Sequence, residues 1–491
     1  MTSGSDDRRV DVAGVDVSMC HFVNGRRIDS PTTFETRSPN DWVTVLGDVA
    51  RGDKETASLA VAAATSAAQG WADLGPAGRA DVLHRLADAI DDSVEEISLV
   101  ETHDMAFNLE SMRARLVHRG AENFRSYANM ALDHVEREWD SKGTHNRVIR
   151  MPAGPAVIIT PWNAPWMLAT WKVAPALAAG NPVVLKPAEW SPLSASVLGD
   201  LAAEVGVPPG VLNIVQGFGK EVGAALVSDP RVRRIAFTGS PETGRAIGLS
   251  AAANLVPLTA EMGGKGPLLV FADADIESAA KTAAGQYDDS GQVCLAGTRL
   301  LVEESVANEF LTRFHSHVDK LVLGTSTDRN TDIGPMVHPD HVARVLGFID
   351  RARSHGDEIV RGGHRSARGD MWIEPTLIRP RDNQSEVVQS EVFGPVLTFQ
   401  TFATEEEAIE LANSTDYGLS AVVYTTSQGR AVRVGEAIRA GTVWVNTFLV
   451  RDLSAPFGGC GISGIGREGG RHALEFHADL KTLQILDSSV S

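Results

Sequence analysis

Cysteine is scarce in this chain. Of 491 residues only three, Cys20, Cys294 and Cys460, carry a thiol. Three cysteines cannot build a disulfide framework and their spacing matches no metal-ligand pattern, so no metal is expected and a reducing compartment is favoured. Basic charge is also short: 45 Lys and Arg against 63 Asp and Glu leave a formal net charge of −18. Nucleic-acid binding needs clustered cations to neutralise phosphates, which excludes that partner class. No run of about 18 apolar residues occurs, so no membrane span is expected. The opening stretch "MTSGSDDRRVDVAGVDVSMC" lacks a basic segment followed by an apolar one, so no secretory signal is expected either. Internal repeats and low-complexity segments are missing as well. These absences predict a soluble, cytoplasmic protein, in which the glycosylation triplet Asn413-Ser414-Thr415 has no meaning.

What is present is ordinary globular material, 43% hydrophobic and 22% charged, at a length that suggests two or three domains. Residues from about 56 to 133 read as helical. Within them Val82, Leu86, Ile90, Val94 and Ile97 recur at three- and four-residue steps, one face of a helix. The period then changes. "PAVIIT" (155–160), "PVVLK" (182–186), "VLNIV" (211–215) and "RRIAFT" (233–238) are short β-branched runs separated by helical segments. In one of these segments Ser191 reads as the N-cap, Pro192 as the first helical residue and Gly206 as the stop. The alternation restarts after Gly264 with "PLLVF", "RLLVEE", "PVLTF", "SAVVYT" and "GTVWVN". Strands alternating with helices predict parallel sheets, here two α/β sheets joined near 262–266. Such sheets bind ligands beyond the carboxyl ends of their strands, and several motifs fall there.

Asn163 follows the first strand in "PWNAPW". Its amide is an uncharged donor for a transient alkoxide, or else an Asx-turn capping the helix that starts near Ala164. Lys186 and Glu189 in "VVLKPAEWSP" can hold ribose hydroxyls, with Glu189 repelling a 2′-phosphate, or can form a solvated ion pair. In "IAFTGSPETG" Gly239 allows a tight turn and Ser240 offers a hydroxyl at a helix N-terminus, a setting for phosphate. Glu261 in "TAEMGGKGP" stands before Gly263 and Gly264, where it can pivot as a general base of raised pKa or mark a hinge. Gly459-Cys460-Gly461-Ile462-Ser463-Gly464 spells a dinucleotide fingerprint but follows no strand, so it is rejected as a phosphate loop. Cys294 lies behind a Gly-Gln turn in "YDDSGQVCLAG"; Cys20, near the loose terminus, and Cys460, in a glycine loop, have no comparable setting.

Together "PWN", "KPAE", "FTGS", "EMGGK", "GQVC" and "EVFGP" resemble the aldehyde dehydrogenase superfamily over roughly residues 22 to 486. The resemblance implies two doubly wound parallel-sheet domains and a β-arm for oligomerisation. The cofactor domain would span 1–132 and 153–263, the catalytic domain 264–463, and the arm and tail 133–152 and 464–491. It implies Cys294 as nucleophile, Glu261 as base and Asn163 as oxyanion donor. Trp162, Lys186, Glu189, Gly239 and Ser240 would hold the adenosine and pyrophosphate of NAD, and Glu391 and Phe393 would frame its nicotinamide riboside. Lys172 and Glu468 match positions of a proton relay. A homodimer or homotetramer acting on a small-molecule aldehyde is expected. The chain departs from the family pattern at Gly266, where Asn is usual, at "HDMAFN" in place of "DTGKP", and in a Glu261–Cys294 interval one residue short.

Arg119 in "HRGAENF" and Arg451 in "NTFLVRDLSAPFGG" resemble the branch that oxidises 2-hydroxymuconic semialdehyde, where two arginines grip a substrate carboxylate. Arg451 could instead pair with Asp452 or with a neighbouring helix. Three other readings stay open at this point: a dehydrogenase of neutral aldehydes, a Cys–Glu–Lys amidase or nitrilase using Cys294, Glu261 and Lys265, and a catalytically silent binding protein.

Overall fold

A computed structural model describes residues 7–133 and 137–486. Residues 1–6, 134–136 and 487–491, which belong to the expected N-terminus, arm and tail, lie outside the described residues. An eight-stranded sheet runs in the order Gly464–Ile465, Leu258–Met262, Arg234–Gly239, Ala156–Ile159, Val183–Lys186, Leu212–Ile214, His21–Val23 and Arg26–Ile28. Its five central strands are parallel, and its outer strands join antiparallel. A seven-stranded sheet orders Glu358–Arg361, Thr376–Arg379, Val396–Phe402, Arg299–Glu303, Pro267–Val270, Ser420–Tyr424 and Thr442–Val445, with only the first of these antiparallel. The inner strands are apolar on both faces because helices cover both sides, as in doubly wound α/β folds.

A third, antiparallel sheet joins Glu138–Ser141, Thr144–Pro152 and Ala478–Leu486. The segment from Gly464, grouped with the tail on sequence, first works on the eight-stranded sheet. Gly464 and Ile465 pair with Glu261 and Ala260, and Ala473 and Leu474 of the helix Gly470–Phe476 enter that sheet's core. The same pairing makes "GCGISG" the run-in to a sheet edge. The hairpins Arg9–Val12/Val15–Ser18 and Thr33–Arg37/Val45–Ala50 were not foreseen; these strands are only four to six residues long and partly exposed.

Helix Leu193–Glu204 departs from its sequence reading. Pro192 occupies the cap position, and Ser191 Oγ donates to the Trp162 carbonyl (3.2 Å) instead of capping. The Leu193 N–H is met by Asp104 Oδ2 (2.8 Å), from a helix far away in sequence. Gly206 does end the helix, at φ +78, where a side chain would be strained.

Candidate active site

The strand order of the eight-stranded sheet reverses at Ala156–Ile159. Chain connections run from it to Val183–Lys186 on one side, and the later strand Arg234–Gly239 pairs on the other. A crevice opens beyond the strand ends at such a switch point. A cavity of about 1110 Å³ lies there, lined by Trp162, Asn163, Thr238, Gly239, Ser240 and Glu261 and, from later in the chain, by Cys294, Glu391, Phe393 and Arg451.

Cys294 reaches the cavity from an unusual loop. Asp289, Ser290 and Gly291 are consecutive left-handed residues, at φ 51, 56 and 66. Such a run persists only where its surroundings hold it. Ser290 Oγ donates to the Gly334 carbonyl (2.5 Å), and Gln292 Nε2 donates to the Asp289 carbonyl (3.0 Å). Gln292 Oε1 accepts from the Val337 N–H (3.0 Å). At Gly291 a Cβ would stand 2.2 Å from the Gly394 carbonyl oxygen, so no side chain fits. Burial pushes the Cys294 thiol up to about 12, Glu391 adds to this, and Arg451 opposes it.

Asn163 is tied to that loop: its Nδ2 donates to the Gln292 carbonyl (2.9 Å). The helix Pro165–Ala178 has Ala164 at its cap position with no side-chain cap, and its Trp166 N–H is met by the buried Glu101 Oε1 (3.0 Å). An amide has two N–H donors, so one remains for the cavity.

Glu261 is buried, and among the described residues no hydrogen bond of good geometry reaches either of its carboxyl oxygens. Burial raises its pKa well above the carboxylate range, Glu468 adds to this, and Lys172 and Arg467 oppose it. Space for the carboxyl comes from Gly458, where a Cβ would lie 2.7 Å from Glu261 Oε1. Behind it Lys172 Nζ pairs with Glu468 Oε1 and donates to the Phe237 carbonyl (3.3 Å). The other Glu468 oxygen accepts from Trp171 Nε1 (2.8 Å).

The glycines beside Glu261 have a different use from pivoting. A Cβ at Gly263 would stand 1.8 Å from Glu391 Oε2, and one at Gly264 would stand 2.5 Å from the Cys294 carbonyl oxygen. They permit close approach. Glu391 Oε1 accepts from the Gly264 N–H (2.8 Å), and burial raises its carboxyl to about 7. Gly239 likewise turns nothing: it ends its strand, and a Cβ there would strike the Phe237 ring at 2.5 Å. Ser240 caps helix Pro241–Ala253, accepting from the Thr243 N–H (3.2 Å). Phe393 holds a left-handed φ of 61, with its carbonyl against His341 Nε2 (2.7 Å) and its ring edge-on to Trp162 (5.3 Å between centroids). Lys186 and Glu189 sit outside this cavity's wall, 3.5 Å apart, with Lys186 Nζ buried and donating to the Pro187 carbonyl (2.6 Å).

Arg451 is not paired with Asp452, whose carboxylate accepts from Ser454. Among the described residues its guanidinium has no ion pair or hydrogen bond; it lies over the rings of Phe457 (4.2 Å) and Trp171 (5.6 Å). Arg119 also lines the cavity and pairs with Glu122 one turn on (3.1 Å). Lys265 lies outside the cavity wall with a buried Nζ that has no hydrogen-bond partner among the described residues, and burial lowers its pKa to about 7.

The sequence model of the aldehyde dehydrogenase family matches residues 27–483. The chain belongs to the aldehyde dehydrogenase family. It is 39% identical to a 2-hydroxymuconic semialdehyde dehydrogenase of Pseudomonas sp. strain CF600, over 94% of this chain and 98% of that one. It is 38% identical to a betaine aldehyde dehydrogenase of Cereibacter sphaeroides, over 95% and 96% of the two chains. Its fold superposes on a betaine aldehyde dehydrogenase from Staphylococcus aureus in complex with NAD+ with a TM-score of 0.93, at 36% identity and 96% coverage of each chain. The two-domain α/β fold is thus that of the aldehyde dehydrogenases, and nothing favours the amidase.

Sequence reasoning missed Glu101 and Asp104, which brace segments around the site, the partners that Gln292 takes, and Trp171. A signal for the first two was present. The apolar stripe ending at Val94 and Ile97 continues at the same spacing to Glu101 and Asp104, so two carboxyls occupy core positions of helix Val94–Asp104. Trp171 carries no local signal, because a tryptophan in a buried helix reads as packing.

Proposed function

We propose that this protein oxidises an aldehyde bearing a carboxylate, of the 2-hydroxymuconic semialdehyde kind, to the acid, with NAD as cofactor and Cys294 as nucleophile. One observation carries the substrate class. Arg451 faces the same cavity as Cys294, and among the described residues no carboxylate forms an ion pair with it. A desolvated arginine without a partner favours an anionic ligand and disfavours a cationic one such as betaine aldehyde.

The site fits the nicotinamide end of a dinucleotide. Among the described residues the buried Thr238 hydroxyl lacks a partner, Glu391 is fixed by a backbone N–H, and Trp162 and Phe393 wall the space between them and Cys294. NAD bound there supplies a hydride acceptor. Glu189, partly exposed beside Lys186, disfavours a 2′-phosphate and so favours NAD over NADP. Gly239 and Ser240 begin the helix on the pyrophosphate side.

In this reading Cys294 attacks the aldehyde carbon as thiolate, and the second N–H of Asn163 meets the oxyanion. With the hydrogen of the aldehyde carbon lost as hydride to that acceptor, Cys294 would carry the acyl group as a thioester. Glu261 takes a proton from the water that hydrolyses it, and its raised pKa makes it a stronger base once deprotonated. Lys172 and Glu468 lead the proton away from Glu261. A cytoplasmic, reducing setting keeps the thiol free. The eight-stranded sheet forms the cofactor domain and the seven-stranded sheet the catalytic one. Strand Ala478–Leu486, with Leu480 and Leu486 exposed, serves a dimer or tetramer.

The test is an assay of Arg451→Ala and Arg119→Ala on one anionic and one neutral aldehyde of similar size, followed by NADH absorbance. Loss of a charge-assisted hydrogen bond of about 1.5–3 kcal/mol predicts roughly a 10- to 150-fold fall in kcat/KM for the anionic substrate. The neutral aldehyde should be little affected. An equal fall on both would remove the substrate assignment.

A further inference from the structure

Trp171 touches both signs of charge in this cavity. Its ring face lies against the Arg451 guanidinium (5.6 Å to the centroid), and its Nε1–H edge donates to Glu468 Oε2 (2.8 Å). Phe457 covers the guanidinium from its own side (4.2 Å) and meets Trp171 edge-on (6.5 Å). Tyr127 packs edge-on to Trp171 at 6.2 Å. The indole is almost fully buried, so its position is set by packing.

The arrangement has an electrostatic consequence. Arg451 and Glu468 attract each other, and in a low-dielectric cavity an unscreened pair of opposite charges would close up. Closure would neutralise Arg451 and pull Glu468 from Lys172, with which it now pairs. An aromatic ring can satisfy both charges without joining them, through its negative face toward the cation and its N–H toward the carboxylate.

We propose that Trp171 is a positioning residue that keeps Arg451 and Glu468 apart, leaving Arg451 open to a substrate carboxylate and Glu468 committed to Lys172. The inference rests on the proposed role of Arg451. It differs from a packing role in one respect: its effect must pass through Arg451, and must depend on the charge of the substrate.

The experiment compares wild type, Trp171→Phe, Arg451→Met and the double variant on one anionic and one neutral aldehyde, with thermal melts. Phenylalanine keeps a ring face but removes the N–H that holds Glu468. Trp171→Phe should lower the anionic-to-neutral ratio of kcat/KM on the order of 10-fold, the lower range for a lost charge-assisted contact. In the Arg451→Met background the same change should leave the ratio unaltered, because no cation remains to be captured. Trp171→Leu, which also lacks the N–H, serves if the phenylalanine variant melts too low to assay, and the same ratio decides. An equal loss on both substrates, or additive effects in the double variant, would overturn the proposal and leave Trp171 as packing. If Arg451→Met itself leaves the ratio unchanged, the substrate reading fails first and the role of Trp171 falls with it. If Arg451→Met lowers the ratio and Trp171→Phe does not, only the role of Trp171 is lost.

Discussion

At the scale of single residues, environment outweighs identity. Cys294 is a thiol whose pKa burial lifts to about 12, against an ordinary value near 8.5. Site-resolved alkylation of Cys294 by iodoacetamide should therefore keep accelerating well above pH 8.5, without a plateau there. Because Arg451 is the cation that opposes the rise, Arg451→Met should slow alkylation at any fixed pH. A plateau near 8.5 in the wild type would contradict this picture of a dry thiol. Glycines carry their own information. Gly263 has no positive φ, so Gly263→Ala adds no backbone strain; it only pushes against the Glu391 carboxylate, 1.8 Å from the new Cβ. Loss of the Glu391–Gly264 hydrogen bond predicts a KM for NAD raised on the order of 10-fold. An unchanged KM would mean that Glu391 does not hold the cofactor.

At the scale of elements, one helix organises the loops of the site. Val94–Asp104 sends Glu101 to the N-terminus of helix Pro165–Ala178, just after Asn163, and Asp104 to the N-terminus of Leu193–Glu204. Asp104 also accepts from Thr36 Oγ1 (3.2 Å), and burial raises its pKa well above the usual range. Its carboxyl thus holds a proton to higher pH in the folded state than in the unfolded one. That difference makes stability fall as pH rises from the unfolded pKa, near 3.9, toward the folded one. Asp104→Asn keeps an acceptor and removes the titration. It should melt close to wild type at pH 4 and at or above it at pH 8. Asp104→Ala strands two buried donors, at roughly 1–3 kcal/mol each, and should melt lower at both. A loss in Asn equal to that in Ala at pH 8 would show that the carboxylate charge itself matters.

At the scale of the molecule, the site is a seam between two sheets. Asn163 and Glu261 come from the first, Cys294 and Glu391 from segments joined to the second, and the Asn163–Gln292 hydrogen bond crosses between them. A ligand that spans this seam binds only the folded chain, so it stabilises by mass action. At about 100 times its Kd, NAD should add roughly 2.7 kcal/mol and raise Tm. NADP at the same concentration should raise it less, because Glu189 opposes the extra phosphate. Equal shifts with the two dinucleotides would remove Glu189 from the account.

The sequence by itself determined the parallel strands, their joints and the residues at strand ends. Those features follow from short β-branched runs and from turn residues, which act over a few neighbours. It also carried the family, because "GQVC", "EMGGK" and "FTGS" each preserve a local geometry. The tertiary structure alone decided which partners the polar groups find. Ser191 reads as a cap, yet Asp104 supplies the acceptor, since the crossover helices bring a carboxyl 89 positions away to within 2.8 Å. Gly239 and Gly263 read as turns or pivots, yet an aromatic ring and a carboxylate claim their empty Cβ sites. Arg451 stands beside Asp452 in the chain but beside Phe457 and Trp171 in space. Strand periodicity and turns are encoded locally, whereas a charge takes its partner from whatever the folded chain packs against it.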